Sequence, residues 1–344
     1  MMKRLKYVIL LILVIGIVSI NSPTKSQASD IMVGAFYYPW YDNYRHWQEG
    51  YKGDPIFGEY SSRDQAVISR HIDWAYSYGI DLFLMSWWGP NSYEDVTIKD
   101  YFMKSKDISH IKFAILYETL GRLKTDEKGR INFDNPYNKL ILVEDFRYIS
   151  KTYFNHEQYL KIDNKPVVCI YLSRIFDGDY KGAIKELREE IQKEGYELYL
   201  IGDQVYWQSP YKESEKDLMK QFDAVTAYNM HTSVPDIDVN FVEKVSNKYK
   251  QWYEVTSSFG IDFIPNVMPG FDDTAVRPEA KHPVITRDEK RFRYLCEEAK
   301  KYILGKGMIF VTSWNEWHEY TQIEPDKSYL ERYLEIIRDT FIIE

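Results

Sequence analysis

Cysteine is scarce in this 344-residue chain. Cys169 and Cys296 are too few and too far apart for a disulfide framework or a zinc cluster, and they read as two thiols buried in a core. No basic block occurs beyond the N-terminus, and 44 basic against 52 acidic residues leave a net charge of −8. Such a chain repels a phosphate backbone on average, which argues against nucleic acid as a partner. A Gly-rich phosphate loop is missing, so phosphoryl chemistry has no cradle. Internal repeats, low-complexity tracts and Gly/Ser linkers are absent too, which leaves no sign of a repeat array or of tethered domains. With 44% hydrophobic and 28% charged residues, a disordered chain and a polytopic membrane protein are both excluded.

What the chain has in excess is aromatic: 30 Tyr, 17 Phe and 9 Trp make up 16% of it. Tyr and Trp carry a flat apolar face and a polar tip, which suits a core and equally a wet cleft for amphipathic ligands such as sugars. Composition does not separate the two uses.

The N-terminus reads as an export signal. Lys3, Arg4 and Lys6 precede an apolar run from Tyr7 to Ile20, and polarity then returns up to Ser26-Gln27-Ala28, a small-residue cleavage signature. Fourteen residues are short of the roughly 20 a spanning helix needs. We expect a signal peptide over 1–28, with an uncleaved N-terminal anchor as the alternative, and a mature protein over 29–344 working outside the cytoplasm.

From Val33 onward, short β-rich apolar runs alternate with stretches of helical period. Strands are expected at Val33 to Tyr38, Asp81 to Ser86, Lys112 to Tyr117, Pro166 to Tyr171, Leu198 to Ile201, Ala224 to Tyr228, Asp262 to Pro265 and Met308 to Thr312. Helical patterns lie between them, clearest in Arg63 to Tyr78 and weakest around Ile98 to Lys104 and Lys216 to Phe222. Eight βα units without a composition break predict an α/β fold, a single (β/α)8 TIM barrel with long βα loops, and function on the loops after the strand C-termini.

Those loops hold the chemically interesting residues. After the eighth strand comes Ser313-Trp314-Asn315-Glu316-Trp317-His318-Glu319-Tyr320. Two carboxylates three apart in a turn project to one side, roughly 5 to 6 Å apart at Cβ. Flanking aromatics can keep one carboxyl protonated while its neighbour stays ionised, which is what an acid and a base require. The bland alternative is that Glu316 and Glu319 open the last helix and complement its dipole. Other strand ends deliver Tyr38 and Trp40 with His46 and Trp47, then Trp87 and Trp88, Glu118, Tyr228, and Asp272 with Arg277. Each alone is more often structural than functional, but their shared position at one barrel face is hard to explain by packing. Aromatic platforms around acids, amides and histidines are what a sugar site needs, and glycosidic cleavage needs a proton donor and a second carboxylate. Glu316, His318 and Glu319 are poorly spaced for a closed ligand set, so neither metal nor other cofactor is expected.

These stretches resemble glycoside hydrolase family 99, the endo-α-mannosidase family. The resemblance rests on Gly34 to Tyr41, His46-Trp47, Gly58 to Ser62, Ser86 to Gly89, Pro269 to Thr274 with Arg277-Pro278, and above all Ser313 to Glu324, close to the family's Ser-Phe-Asn-Glu-Trp-His-Glu-Gly-Thr-Gln-Ile-Glu. It implies a metal-free barrel that cleaves internal α-mannosidic bonds with retention and without a protein nucleophile. Glu316 would act as base on the sugar 2-hydroxyl, giving a 1,2-anhydro sugar, and Glu319 would protonate the leaving oxygen and later activate water. Tyr228 would match the family's loop tyrosine, Trp87 or Trp88 the aromatic wall, and His46 a substrate contact, with Tyr38, Trp40, Trp47, Glu118, Asp272, Arg277, Asn315 and His318 also addressing substrate. The expected partner is an oligo- or polysaccharide, and the expected state a monomer. Two departures stand out: Tyr320 replaces the family's Gly, placing a large ring beside the acid, and Glu279-Ala280 replace its Trp-Asn. A carbohydrate-binding or polysaccharide-assembly protein without catalysis remains open, as does a glycosidase for another sugar with Glu118 as nucleophile.

Overall fold

In the computed structural model of the protein, residues 31–231, 236–303 and 307–342 are described. The expected export segment, 1–28, lies outside them. Eight parallel strands form the centre: β1 (Met32–Tyr37), β2 (Leu82–Trp87), β3 (Lys112–Tyr117), β4 (Lys165–Ile170), β5 (Tyr199–Asp203), β6 (Ala224–Thr226), β7 (Asp262–Ile264) and β8 (Met308–Val311). Neighbours pair in chain order, and β1 pairs with β8 through Met32↔Met308 to Ala35↔Val311. The ring closes through β7. Its first part pairs with β6, and after Pro265 the next residues, Asn266–Val267, pair with β8. Proline has no N–H to give a ladder, and here its carbonyl accepts from the Phe310 N–H at 3.0 Å. The result is the (β/α)8 barrel.

Nearly every strand residue is buried, because an all-parallel sheet is covered on both faces. The covering helices are α1 (Gln65–Ser77), α2 (Tyr93–Val96), α3 (Pro136–Tyr153), α4 (Tyr180–Lys193), α5 (Glu213–Met219), α6 (Phe241–Phe259), α7 (Glu289–Lys300) and α8 (Arg332–Phe341). Their ends follow local chemistry. Asp64 caps α1 by accepting from the Ala66 N–H, Asn135 caps α3 with Pro136 in its first turn, and Gly260 ends α6 in a left-handed conformation at φ 68°.

The weak signal after β2 has a cause. The four residues of α2 run directly into a π-helical turn, Thr97–Phe102, whose wider winding destroys the 3.6-residue period. The last helix begins only at Arg332, since Asp326 takes the N–H groups of Ser328 and Tyr329 and Leu330 sits at φ 50°. Cys169 and Cys296 are free and buried.

Candidate active site

The loops at the C-terminal ends of the strands surround a cleft of about 640 Å³. Ten of the residues singled out in the sequence line it: Tyr38, Trp40, His46, Trp88, Glu118, Tyr228, Arg277, Glu316, His318 and Glu319. Glu316 and Glu319 belong to an irregular loop between β8 and α8, well ahead of Arg332, so they do not serve a helix terminus.

That loop is held from behind. Asn315 is fully buried and grips the end of β1 with both ends of its amide, accepting from the Tyr38 N–H at 2.7 Å and donating to the Tyr38 carbonyl at 3.0 Å. The Ser313 hydroxyl accepts from the Glu316 N–H at 2.7 Å. Glu324 is buried beneath, where it accepts from Tyr60 Oη at 2.8 Å and Trp317 Nε1 at 3.0 Å and meets His71 Nε2 at 3.1 Å. The far side of that imidazole meets Tyr37 Oη at 3.0 Å, which ties α1 to β1.

The two carboxyls have different company. Glu316 Oε1 accepts from the His318 N–H at 3.1 Å and lies 3.7 Å from His318 Nδ1. His318 Nε2 faces the His46 carbonyl at 2.9 Å, so that nitrogen carries the hydrogen. Glu319 Oε1 lies 3.3 Å from Arg277 Nη1, and its Oε2 lies 3.4 Å from both Tyr228 Oη and Asn229 Nδ2. Burial pushes both carboxyls up, and the charge of Glu319 pushes Glu316 further. Arg277 opposes the rise at both, and at Glu319 it also hydrogen-bonds. Hence the proton favours Glu316 and the negative charge favours Glu319, with the pair titrating as a unit. Glu118 is a third buried acid, pushed up to about 8 by burial although Ser86 Oγ donates to it at 2.7 Å.

Aromatic rings form one wall. Trp40 stacks on His46 with centroids 4.6 Å apart and packs at a tilt against Tyr38 at 4.5 Å, and Trp88 follows at 6.2 Å. His46 Nδ1 lies 3.4 Å from Glu49 Oε2, which stands at the same cleft, while the other ring nitrogen has no hydrogen-bond partner among the described residues. Burial holds His46 near 4, so its imidazole is neutral.

Four residues expected at substrate stand behind the wall instead. Trp47 is buried against Tyr41 at 4.1 Å, with its indole donating to the Tyr60 carbonyl. Trp87 faces outward from the barrel and donates to Asp95 of α2 at 2.8 Å, so of the adjacent pair it is Trp88 that reaches the cleft. Asp272 binds Lys52 and turns back on Thr274 Oγ1 at 2.7 Å. Asn315 is the backbone clamp just described. The ring of Tyr320 is not beside the acid: it lies on Arg287, 4.7 Å away, and is absent from the cleft lining.

Sequence reasoning missed Arg45, Glu49, Tyr93, Glu94, Leu120, Tyr171 and Val276, all of which line the cleft. It also missed Asp203, whose Oδ1 accepts from the Tyr228 N–H at 2.9 Å and whose Oδ2 pairs with Arg174 at 2.6 Å, fixing the loop that carries Tyr228. Position at a strand end was the available signal for Tyr171 and Asp203. Among the described residues one group has donor atoms close enough to share a metal ion, His46, Glu49 and His318, all within 4.8 Å of one another. It is a different trio from the one the sequence suggested, and its His318 Nε2 is already engaged by a carbonyl.

A (β/α)8 barrel whose strand-end cleft holds a buried, proton-sharing carboxylate pair and an aromatic wall is a barrel of the glycoside hydrolase class. The chain belongs to the family described as Glycosyltransferase WbsX, whose model matches residues 39–337. It is 23% identical over 359 residues to the glycoprotein endo-alpha-1,2-mannosidase of Rattus norvegicus, covering 89% of this chain and 72% of that one. A solved glycoside hydrolase-like protein superposes with a TM-score of 0.75 at 21% identity, covering 94% and 98% of the two chains. The family 99 endo-alpha-mannosidase of Bacteroides thetaiotaomicron superposes with a TM-score of 0.69 at 23% identity, covering 90% and 95%. The fold is thus that of family 99.

Proposed function

We propose that the protein is an exported, retaining, endo-acting glycoside hydrolase that cleaves α-mannosidic linkages in a mannan, glycan or related polysaccharide. The observation that carries this is the placement of Glu316 and Glu319 on one cleft, with Arg277 and Tyr228 on the second carboxyl only. The names of the relatives support the same linkage class.

In the mechanism we favour, Glu316 takes the proton of the sugar 2-hydroxyl while that oxygen attacks the anomeric carbon. Glu319 gives its proton to the departing glycosidic oxygen as that bond breaks. The products are a 1,2-anhydro sugar, protonated Glu316 and ionised Glu319. Water then loses a proton to Glu319 and opens the anhydro ring at the anomeric carbon, and Glu316 returns its proton to the 2-oxygen. Two inversions give retention. A proton on Glu316 and a charge on Glu319 is also the distribution of the half-way state. A substrate 2-hydroxyl donating to Glu316 favours its charged form and returns the proton to Glu319 for the first step. Glu118 is a poor nucleophile under this scheme, because a carboxyl pushed up to about 8 is mostly protonated at neutral pH. It is better suited to donate a hydrogen bond to a sugar oxygen.

The test is incubation with α-linked manno-oligosaccharides and mannans, with product sizing and NMR of the newly formed anomeric centre. Internal cleavage with initial α-configured product is expected, and an inverted product or complete inertness overturns the reading. A second reading follows from the family's description as a glycosyltransferase: a sugar hydroxyl opens the same intermediate in place of water. Products longer than the substrate, formed when acceptor is added, would select it.

A further inference from the structure

Arg287 is 7% exposed, yet among the described residues no carboxylate forms a salt bridge with it. Its charge is met by three rings, Tyr333 at 4.4 Å, Tyr320 at 4.7 Å and Tyr329 at 5.1 Å from the guanidinium carbon. Its Nη1 donates to two carbonyls of one loop, Tyr320 at 3.1 Å and Gln322 at 2.8 Å. Tyr320 directly follows Glu319 and holds φ at 56°, a left-handed conformation that costs a residue with a Cβ free energy unless its surroundings enforce it.

Room for this guanidinium is built into the neighbouring loop. A Cβ on Gly270 would lie 2.7 Å from the Arg287 Cγ and 2.7 Å from the Ile285 carbonyl, so only glycine lets the two segments close. They are joined by paired backbone bonds between Phe271 and Ile285 at 2.9 and 2.8 Å. One residue further, the Asp272 N–H donates to the Glu319 carbonyl at 2.8 Å. The backbone of Glu319 is therefore fixed on one side by the loop after β7 and on the other by Arg287.

We propose that Arg287 is a positioning residue for Glu319: it enforces the left-handed turn at Tyr320 and so aims the Glu319 carboxyl into the cleft. The catalytic consequence rests on the hydrolase reading, whereas the conformational one does not. For that reason the experiment has two readouts.

Amide hydrogen exchange of the 313–324 segment is followed by mass spectrometry, and kcat and KM are measured on an α-mannoside. In Arg287→Met, exchange in that segment should rise about tenfold or more, and kcat should fall about ten- to a hundredfold with KM within about threefold, the usual size of a misaimed group. Adding Tyr320→Gly to that variant should recover most of both, since glycine adopts the turn unaided. Should Arg287→Met not fold, Tyr320→Ala and Tyr320→Gly are compared with Arg287 in place. The alanine variant keeps the backbone cost and loses the ring, so it should show the faster exchange and the lower kcat. Unchanged exchange in Arg287→Met, a loss that glycine does not recover, or equal behaviour of the alanine and glycine variants each overturns the proposal. If the wild-type protein cleaves no mannoside, the functional reading falls while the exchange data still decide this one.

Discussion

Arg277 touches Glu319 and acts on Glu316 only from a distance: its Nη1 lies 3.3 Å from Glu319 Oε1 and 3.3 Å from buried Asp273. Two acids three residues apart on one loop are made unlike by a single cation. Arg277→Met should therefore raise the titration of both carboxyls, Glu319 most, because the cation holds both down. The reaction needs one of them ionised, so the acid limb of the kcat/KM profile should move to higher pH by about one unit or more. An unmoved acid limb would show that Arg277 does not set the charge of the pair.

Glu316→Gln and Glu319→Gln should each lower hydrolysis of an alkyl α-mannoside by about a thousandfold or more, with melting temperatures held or raised, since each replaces a buried acid whose charge is disfavoured. The two variants should part on an aryl mannoside with a good leaving group. Glu319→Gln should recover much of the first step, which no longer needs an acid, and Glu316→Gln should not. Equal behaviour on both substrates would reverse or void the assigned roles.

Trp88→Ala should raise KM about tenfold with a smaller change in kcat, as the loss of a stacking surface on the cleft. Trp87→Ala, one residue away, should instead cost about 3 to 5 kcal/mol of stability, since that ring is fully buried and its indole holds Asp95. Urea unfolding and steady-state kinetics on the two variants separate the roles. A stable Trp87→Ala enzyme with raised KM would place both rings at substrate.

Glu118 gives a stability prediction whose sign follows from its raised titration. A folded-state pKa of about 8 against the ordinary glutamate value of 4.5 means that the folded protein keeps a proton the unfolded chain has lost. Its contribution is whole below about 4.5, declines as pH rises from there to about 8, and is flat above. Glu118→Gln should therefore shrink the loss of unfolding free energy between pH 5 and pH 8 by up to a few kcal/mol. Urea midpoints at the two pH values check it, and parallel curves for wild type and variant would sink it.

The strands were the easiest part to read. Their apolar, β-rich runs are buried on both faces, so pattern and environment agree, as in Lys112–Tyr117. The helix after β2 was illegible because a π-helical turn breaks its period. Among site residues, those on strand ends next to a quoted motif were found. Arg45, in a long loop, and Glu94 and Leu120, each in a helix of only four residues, were not, since such segments are too short or irregular to carry a period. Trp47 and Asp272 misled for the same reason in reverse: they sit in motifs that look functional, and their side chains turn back into the protein.

The sequence by itself determined the barrel, the face that bears the cleft and the pair Glu316 and Glu319, because burial periodicity and strand order are local properties of the chain. Tertiary structure alone decided which of two adjacent tryptophans meets a ligand, which acid receives the cation, and what holds Tyr320 in its turn. Trp87 and Trp88 differ only in which side of β2 each faces, and partners distant in the chain decide which side is the cleft. Arg277 stands 42 residues from Glu319, and Arg287 stands 33 residues from Tyr320. Desolvation and charge act through space, so the chemistry of the pair was settled only when the loops after β7 and β8 came together.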